Sequence, residues 1–497
     1  MRILLYNFEQ PDGAKTIGGG VTVYSRNLLD GLSRAGHELI FLSSGEQYDF
    51  FNRTPRLRSF KRGTQRAVIV NSPVFAPAHS SFHDLETYLS SPTLDPVPSQ
   101  IRERYGDIDV FHFQNIEGLT AGFFAALRET FPRAQLLLSA HNYHVVCPQV
   151  NLWFSETRHC VDYEDGRACS QCVQGAGRPR LELNIRRMEK ILACIGVQKR
   201  PILASLIRQG LRAPLRAARR TRALLARLHS TTEPAPAEMI LAVRPVDALP
   251  FARYRARNIH LCTTVFDRIV AVSRRTRDVL IERGVPANKI SVSYIGTAHK
   301  DRFTDLSRRM ATEDGLHLAY LGYMRRDKGF YFFLACLQHM PRELASAMAI
   351  TIAARVTDDK ALAQMRAIAP SFKSFTLYDG YTHHTLDSVL EGVNLGIVPV
   401  LWEDNLPQVA IEMVCRGIPL LTSDRGGAQE IGSNKSFVFA AGSQTSFYDR
   451  LASIAGGRTP LERFWIQNPK IVSNEEHVDE IMSLYALGTP FGGKRLN

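Results

Sequence analysis

Short apolar segments alternate with amphipathic helical segments along most of this 497-residue chain, and this alternation limits the folds open to it. Neighbouring parallel strands need a crossover of a dozen or more residues, which is usually a helix. A chain that repeats strand and helix therefore favours parallel sheets with helices on both faces. The pattern predicts an α/β protein built from doubly wound sheets.

The alternation runs through two cycles. The first cycle predicts strands at residues 2–8, 39–42, 110–113, 136–139, 268–273 and 290–295. The second predicts strands at residues 318–322, 349–353, 375–378, 395–398 and 419–423. We therefore expect an N-terminal unit over residues 1–300, a linker over 301–315, a C-terminal unit over 316–460 and a helical tail over 461–497.

Two stretches of the first unit break the alternation. Residues 43–100 are rich in Ser, Pro and Arg, which predicts irregular structure or a long excursion. Residues 143–265 are predicted to form an insertion that opens with a cysteine-rich stretch and continues as a basic helical stretch.

Composition bears on the compartment. No run approaches the roughly 20 apolar residues of a spanning helix, and the first apolar run, Ile3 to Phe8, ends at Glu9, too early for a signal-peptide core. Eight cysteines in such a chain favour free thiols or metal ligands over disulfides. We expect a cytoplasmic protein.

The net charge of +13 is concentrated in one segment. Residues 176–230 hold 14 Lys and Arg against 2 Glu, so the rest of the chain is nearly neutral, which argues against a nucleic-acid binder. Within residues 178–227 arginines alternate with Leu, Ile and Ala at helical spacing, so an anionic membrane surface is the expected partner. A solvated helical hairpin and a protein-docking surface are the alternatives.

Three consecutive glycines, Gly18, Gly19 and Gly20, lie between the first strand and the first helix. Without side chains their backbone N–H groups can approach a ligand, and the start of the helix carries partial positive charge. The turn is a candidate phosphate site. The alternative is a plain flexible turn.

The most specific pattern is WEDNLPQVAIEMVCRGIPLLTSDRGGAQEIG, residues 402–432. It predicts a loop, a helix, a tight turn, a buried strand and a second glycine-rich turn. Asp404 and Glu412, separated by seven residues, can accept hydrogen bonds from neighbouring hydroxyls of a sugar and a ribose. Gly426 and Gly427 provide another close backbone approach.

This pattern resembles that of the GT4-type retaining glycosyltransferases (glycosyl transferases group 1), whose hallmark is Glu-x7-Glu, then small-Gly-x-Pro and Gly-Gly-x-x-Glu. Glu412 matches the second Glu, Gly417-Ile418-Pro419 the turn and strand, and Gly426-Gly427 with Glu430 the last element. The resemblance implies the GT-B fold, two Rossmann-like domains facing each other across a cleft. It also implies a donor nucleotide on the second domain and an acceptor on the first.

The resemblance also points to residues at the transferred sugar. Asp404 stands where the family has its first Glu, with Glu403 beside it as an alternative. His141, at the end of a predicted strand, matches the family's histidine on the acceptor side, and ligands bind at such strand ends. His112 and His144 are weaker candidates nearby.

The family's diphosphate-binding Arg and Lys are matched only in part by GYMRRDKG, residues 322–329. Lys328 matches the lysine, but Tyr323 stands where the arginine is usual. Arg325 or Arg326 is expected to substitute, since a guanidinium fork suits phosphate oxygens. The alternative is a solvated basic turn.

Four cysteines, Cys147, Cys160, Cys169 and Cys172, form a candidate metal site. The short spacing of the last two lets two thiolates bind one face of a tetrahedron, so the group predicts structural zinc. An iron–sulfur cluster and unligated thiols are the alternatives. Catalytic zinc is disfavoured because four cysteines leave no open position. The other cysteines have apolar neighbours and are expected in the core: Cys194, Cys262, Cys336 and Cys415.

These features together predict a glycosyltransferase that needs no metal for catalysis, and the resemblance implies that it retains the anomeric configuration of the sugar. It would move a hexose-type sugar from a UDP- or GDP-sugar to a glycan or lipid-linked acceptor, in surface polysaccharide or glycoconjugate synthesis. The alternatives are a phosphorylase or epimerase on the same fold, and a non-catalytic glycosyltransferase-like subunit or membrane-docked partner protein.

Overall fold

The structure is a computed structural model that describes residues 1–11, 19–49, 51–77, 85–172, 183–188, 245–303 and 315–486. The strands of these residues form two large sheets and two small ones. In both large sheets the neighbouring strands are parallel, apart from one antiparallel pair at an edge. The α/β class predicted from the alternation of strands and helices is confirmed.

The first ten strands are β1 (Arg2–Tyr6), β2 (Glu38–Ser44), β3 (Arg56–Arg62), β4 (Thr64–Val70), β5 (Val110–Phe113), β6 (Gln135–Ala140), β7 (Trp153–Phe154), β8 (Arg158–His159), β9 (Arg268–Ala271) and β10 (Ile290–Val292). Eight of them form the first sheet in the order β10-β9-β6-β5-β1-β2-β4-β3, while β7 and β8 pair as a separate hairpin. Every residue of β5 and β6 is buried, as in a sheet covered on both faces.

The helices that accompany this sheet in the described ranges include α1 (Gly20–Arg34), α2 (Leu85–Ser90), α3 (Val97–Tyr105), α4 (Ala121–Thr130), α5 (Arg167–Cys172), α6 (Pro245–Thr264) and α7 (Arg274–Glu282). Helix α1 buries Tyr24, Leu28 and Leu32. These residues are four apart in sequence and therefore lie on one face of the helix, towards the core.

The expectation of irregular structure over residues 43–100 was wrong. This stretch contains the antiparallel pair β3–β4 at the sheet edge, followed by α2 and α3. Strand β3 has the sequence RLRSFKR and is largely exposed, because an edge strand tolerates charged residues. Its polar composition conceals the apolar pattern that identifies buried strands.

The second sheet uses β12 (His317–Tyr323), β13 (Ala349–Arg355), β14 (Ser374–Tyr378), β15 (Leu395–Val398), β16 (Leu420–Ser423) and β17 (Val438–Phe439). Its order is β14-β13-β12-β15-β16-β17, with all neighbours parallel. Its helices are α8 (Phe330–Gln338), α9 (Arg342–Ser346), α10 (Asp359–Ile368), α11 (Leu386–Val389), α12 (Gln408–Val414), α13 (Gln429–Gly432) and α14 (Gln444–Ala455).

The chain then returns to the first sheet unit. Strand β18 (Val472–Ser473) pairs in parallel with β11 (Gly296–Thr297). Helix α15 (Asn474–Ala486) packs against α1, and its His477 lies 2.8 Å from the hydroxyl of Tyr24. Within the tail predicted from the sequence, α15 therefore covers the first unit, while Phe464 packs against Phe437 of the second and residues 487–497 lie outside the described residues. Within the described ranges, no helix is long and apolar enough to cross a bilayer.

The carboxyl ends of the two sheets meet. Asn405, which follows β15, donates from Nδ2 to the carbonyl of Ala140, the last residue of β6, over 3.3 Å. Gln408, at the start of α12, donates to the carbonyl of Gly20, the first residue of α1, over 3.2 Å. In open α/β sheets this edge is where ligands bind.

Candidate functional site

A lysine and a carboxylate form an ion pair where the two sheets meet. Lys328 Nζ lies 2.6 Å from Asp404 Oδ2 and 4.8 Å from the ring centroid of Trp402. Lys328 belongs to the turn after β12 and Asp404 to the loop after β15, and these strands are neighbours in the sheet. The structure thus brings together two residues that are 76 positions apart and that the sequence identified separately.

The turn that carries Lys328 depends on the next residue, Gly329. It adopts a φ of +75°, and a Cβ atom at this position would lie 1.7 Å from the carbonyl oxygen of Pro399. Only glycine allows so close an approach between two backbones. The approach joins the start of α8 to the loop after β15, which places Lys328 beside Asp404.

The loop that carries Asp404 is held by the glycine pair. Gly427 donates from its backbone N–H to the carbonyl of Asp404 over 2.8 Å. A Cβ atom on Gly426 would lie 2.1 Å from that carbonyl oxygen, and one on Gly427 would lie 2.3 Å from the carbonyl of Asn405. The close backbone approach expected at Gly426 and Gly427 is therefore made to the protein's own loop.

Glu403 is fully buried in an ion pair with Arg275. Arg275 donates from Nε to Oε2 over 3.0 Å and from Nη2 to Oε1 over 2.7 Å, and the N–H of Gly426 adds a bond of 3.0 Å to Oε2. Burial alone would raise the pKa of Glu403, but the guanidinium outweighs it and lowers the pKa. Glu403 thus points at Arg275, whereas Asp404 points at Lys328.

A second carboxylate of this region, Glu430, binds the start of α7. It accepts from the backbone N–H groups of Arg274 and Arg275 over 2.9 and 2.5 Å, and from the hydroxyl of Tyr294 over 2.7 Å. Glu403 and Glu430 therefore both attach the second sheet unit to one helix of the first. Sequence reasoning missed Arg275, because nothing local marks it among the basic residues that follow β9.

Glu412 lies on α12, which begins four residues after Asp404. Its Oε2 accepts from the hydroxyl of Tyr381 over 3.3 Å, and its Oε1 lies 3.6 Å from His383 Nδ1. Burial raises the pKa of Glu412, while His383 and Tyr381 oppose that rise. Tyr381 and His383 belong to the loop after β14 and were not identified from the sequence.

The two candidate arginines are engaged elsewhere. Arg325 forms a two-bond ion pair with Asp327, at 2.9 and 2.8 Å. The guanidinium carbon of Arg326 lies 6.0 Å from the ring centroid of Tyr331. Tyr323 is more than half exposed. The structure brings Lys328 to Asp404 but leaves both arginines outside that pair.

His141 follows β6 and lies on the first unit, where the carboxyl ends of the two sheets meet. Its Nε2 lies 3.1 Å from Gln114 Oε1, and its ring centroid lies 4.4 Å from that of Tyr24. Burial, helped by His477, lowers the pKa of His141 to about 3, so the ring is neutral. Because an amide oxygen only accepts, Nε2 carries the proton and Nδ1 is an acceptor.

The other two histidines are structural. Both ring nitrogens of His112 are bonded, Nδ1 to the Tyr485 hydroxyl at 2.7 Å and Nε2 to Ser139 Oγ at 2.8 Å. The ring of His144 packs edge-on against that of Tyr254 in the core. Of the three histidines, His112 and His144 thus have structural contacts, whereas His141 stays the candidate for the site.

No protein-family model and no curated protein sequence matches this chain. Sucrose-phosphate synthase from Thermosynechococcus elongatus is 14% identical, with 98% of each chain covered and a TM-score of 0.53. The catalytic domain of starch synthase IV from Arabidopsis thaliana is 12% identical, with 99% of each chain covered and a TM-score of 0.52. The lipopolysaccharide outer core galactosyltransferase WaaB is 12% identical, with 97% of this chain and 100% of that chain covered and a TM-score of 0.53.

The chain has the GT-B fold. At these identities the likeness concerns the fold alone, and it matches the two parallel sheets that meet at their carboxyl ends. The fold class expected from the sequence is therefore confirmed.

In this GT-B fold the glycine-rich turn adjoins the start of α12. Gly18 lies outside the described residues, Gly19 precedes the first turn of α1, and the Gly20 carbonyl accepts from Gln408. The first turn of α1 thus faces the helix that carries Glu412. A role in phosphate binding stays a prediction.

The four cysteines of the insertion lie in one region beside the first GT-B unit, all as free thiols. Burial raises the pKa of each, and Cys147 and Cys160 raise those of Cys169 and Cys172 further, so the four are neighbours. Cys172 Sγ accepts from the N–H of Ser155 over 3.1 Å. Among the described residues, no three of these sulfurs lie within 4.8 Å of one another. Zinc binding stays a prediction.

The basic segment 178–227 lies outside the described residues except for residues 183–188. Within that short piece, Arg186 donates to the carbonyls of Gly45 and Ala76 over 2.7 and 3.0 Å and lies over the ring of Phe75. This part of the segment therefore packs on the first unit. Contact with a membrane stays a prediction.

Two buried histidines predict a loss of stability in mild acid. Burial lowers the pKa of His112 and of His144 to about 3, against about 6.5 in an unfolded chain. As the pH falls below 6.5 the unfolded chain takes up protons that the folded chain refuses, so stability falls. Between pH 7.5 and 5.5 we expect each histidine to lower the free energy of unfolding by about 1.4 kcal/mol.

Urea unfolding at the two pH values measures this loss. A free energy of unfolding that stays constant or rises from pH 7.5 to 5.5 would contradict the prediction.

Proposed function

We propose that this chain is a retaining glycosyltransferase that moves a hexose-type sugar from a nucleotide-sugar donor to a glycan or lipid-linked acceptor. The observation that carries the proposal is the Lys328–Asp404 pair, at the carboxyl ends of the second sheet and four residues before the helix of Glu412. One cation and two carboxylates there suit a ligand with a diphosphate, a ribose and a sugar. The GT-B fold supports it, since the starch synthase domain of that fold is bound to ADP and acarbose.

The donor would displace the ion pair between the side chains. Lys328 would turn from Asp404 to the departing diphosphate, and its charge would stabilise the developing oxyanion. Asp404 would then accept from a hydroxyl of the transferred sugar, and Glu412 from the ribose hydroxyls. The backbone of Gly19 and Gly20 would approach the diphosphate from the first unit. This assignment requires no metal ion for catalysis.

His141 and the Glu403–Arg275 pair would have different roles. A neutral His141 with Nδ1 as acceptor suits a hydroxyl of the transferred sugar or of the acceptor. Glu403 has its oxygens engaged by Arg275 and Gly426, so we assign it to positioning the loop of Asp404.

Nucleotide binding tests the donor site. We expect one of UDP, GDP, ADP and dTDP to raise the melting temperature of the full chain, because a ligand at 100 times its Kd stabilises the folded state by about 2.7 kcal/mol. Glu412→Gln should bind at least about 10-fold more weakly, since the amide loses the charged acceptor for ribose hydroxyls. The matched control Glu391→Gln changes an exposed carboxylate and should bind as the parent does.

Failure of all four nucleotides at millimolar concentration would overturn the donor site. It would favour the second candidate, a non-catalytic glycosyltransferase-like subunit. That candidate is supported by Tyr323 at the usual arginine position and by the engagement of Arg325 and Arg326 away from Lys328.

The basic composition of residues 178–227 supports an additional proposal about location. We propose that this segment holds the enzyme peripherally on an anionic membrane surface, on the cytoplasmic side, where a lipid-linked acceptor would be available. Each basic residue near such a surface contributes about 1 kcal/mol.

A further inference from the structure

Three side chains beside the proposed nucleotide site form a cluster, and the proposed reaction uses only one of them, Glu412. Ligand atoms of His299, His383 and Glu412 all lie within 4.8 Å of one another. His299 follows β11, where the chain leaves the first unit for the second, while His383 follows β14 and Glu412 lies on α12. The cluster thus brings the segment that follows β11 next to the second unit.

The geometry of the cluster is open on one side. His383 Nδ1 lies 3.6 Å from Glu412 Oε1, and the two imidazole centroids are 5.4 Å apart with planes inclined by 37°. His383 is more than half exposed, His299 is half-buried and Glu412 is buried. An ion can therefore reach the cluster from solvent along His383, and one coordination position is free for water.

Two imidazoles and one carboxylate are a ligand set that zinc uses in proteins, with water as the fourth ligand. Ligand atoms about 2.1 Å from a tetrahedral ion lie about 3.4 Å from one another. The ligand atoms of the cluster lie within 4.8 Å of one another, so they must approach by up to about 1.4 Å to reach that spacing. Rotation of the exposed His383 ring can supply part of this movement. The Tyr381 hydroxyl donates to Glu412 Oε2 and so orients the carboxylate, as partners of metal ligands commonly do.

The charges around His299 are mixed: Arg416 and Arg302 oppose a cation there, and Asp301 favours one. Arg416 and Arg302 both bind Asp387: Arg416 Nε lies 2.6 Å from Asp387 Oδ1, and Arg302 pairs with the other oxygen. Asp301 adds another carboxylate beside His299. Asp387 and Asp301 thus offset part of the positive charge of the two guanidinium groups.

We propose that His299, His383 and Glu412 bind a divalent transition-metal ion of the zinc type, and that this ion competes with the donor nucleotide for Glu412. Metal binding depends only on the three side chains. The competition rests on the proposed function, in which Glu412 accepts from the ribose. A bound ion would thus inhibit the enzyme, and it would tie the segment that follows β11 to the second unit.

Zinc binding by the full, metal-stripped chain tests the site. Zinc chloride is titrated against a chromophoric chelator with the parent, His299→Ala, His383→Ala and the matched control His384→Ala, which removes the exposed neighbouring imidazole. We expect His299→Ala and His383→Ala to lose one equivalent, and His384→Ala to keep it. Zinc at the four cysteines would add the same amount to every protein. Equal zinc binding by all four proteins would overturn the site.

The competition is tested with UDP. Zinc should weaken UDP binding at least about 10-fold in His384→Ala but not in His383→Ala, and chelation of zinc by UDP itself is the same in both measurements. If zinc changes UDP binding equally in the two variants, the competition is refuted. The number of zinc equivalents bound by each protein still decides whether the metal site exists. If UDP binds neither variant but the zinc equivalent depends on His383, the metal site stands and the competition for a UDP donor fails.

Discussion

Gly329→Ala should lower the free energy of unfolding by about 5 kcal/mol, at the upper end of the effects of single substitutions. The new Cβ atom would lie 1.7 Å from the Pro399 carbonyl oxygen, and neither atom belongs to a side chain that can rotate away. Relief requires the start of α8 to separate from the loop after β15. Because Lys328 precedes this residue, that separation would also break the contact between Lys328 and Asp404.

Denaturant unfolding of the parent, Gly329→Ala and Gly442→Ala measures this effect. Gly442 is the matched control because its φ of +77° is nearly that of Gly329, while nothing lies within 4 Å of the added Cβ atom. Its substitution should cost only the strain of a left-handed backbone, about 1–2 kcal/mol. Equal losses in the two variants would mean that the approach to Pro399 does not limit the packing.

Arg275→Ala should lower the free energy of unfolding by about 4 kcal/mol, because it leaves the buried charge of Glu403 without its ion-pair partner. The Gly426 N–H and the longer contact with Arg425 Nη1, at 3.3 Å, remain but do not replace a two-bond guanidinium contact. The same change should displace the loop of Asp404 and weaken nucleotide binding.

The control for this prediction is Arg274→Ala, whose side chain is exposed and whose backbone N–H still donates to Glu430. We expect it to change stability by less than about 0.5 kcal/mol. The double variant Arg275→Met with Glu403→Met removes both charges and should recover much of the lost stability. A loss in Arg275→Ala no greater than in Arg274→Ala would show that Glu403 does not depend on this partner.

The sheets could be predicted from the sequence wherever strands are buried on both faces. The apolar run at 318–322 lies within β12 (His317–Tyr323), and the run at 395–398 coincides with β15. Such strands are continuous apolar runs because helices cover both sides. Strand β3 was not predicted from the sequence because its charged residues face solvent at the edge of the sheet.

The motif residues of the candidate site could be predicted from the sequence, but the residues that they contact could not. Lys328, Asp404 and Glu412 stand in recognisable local patterns. Arg275 lies 128 positions from Glu403, and no local pattern relates residues that meet only after folding. The choice between Glu403 and Asp404 was also undecidable, since the direction of each side chain is set by contacts with Arg275 and Lys328.

The pairing of β11 with β18 affects how the molecule can move. The chain leaves the first unit after β11 and returns just before β18, and the ladder between Gly296–Thr297 and Val472–Ser473 ties these two connections together at the first unit. A single covalent connection would allow one unit to swivel and twist against the other. Two connections tied together oppose twisting of one unit against the other and leave a hinge motion about a single axis. Each cycle of opening would therefore return Lys328 and Asp404 to the same register with His141.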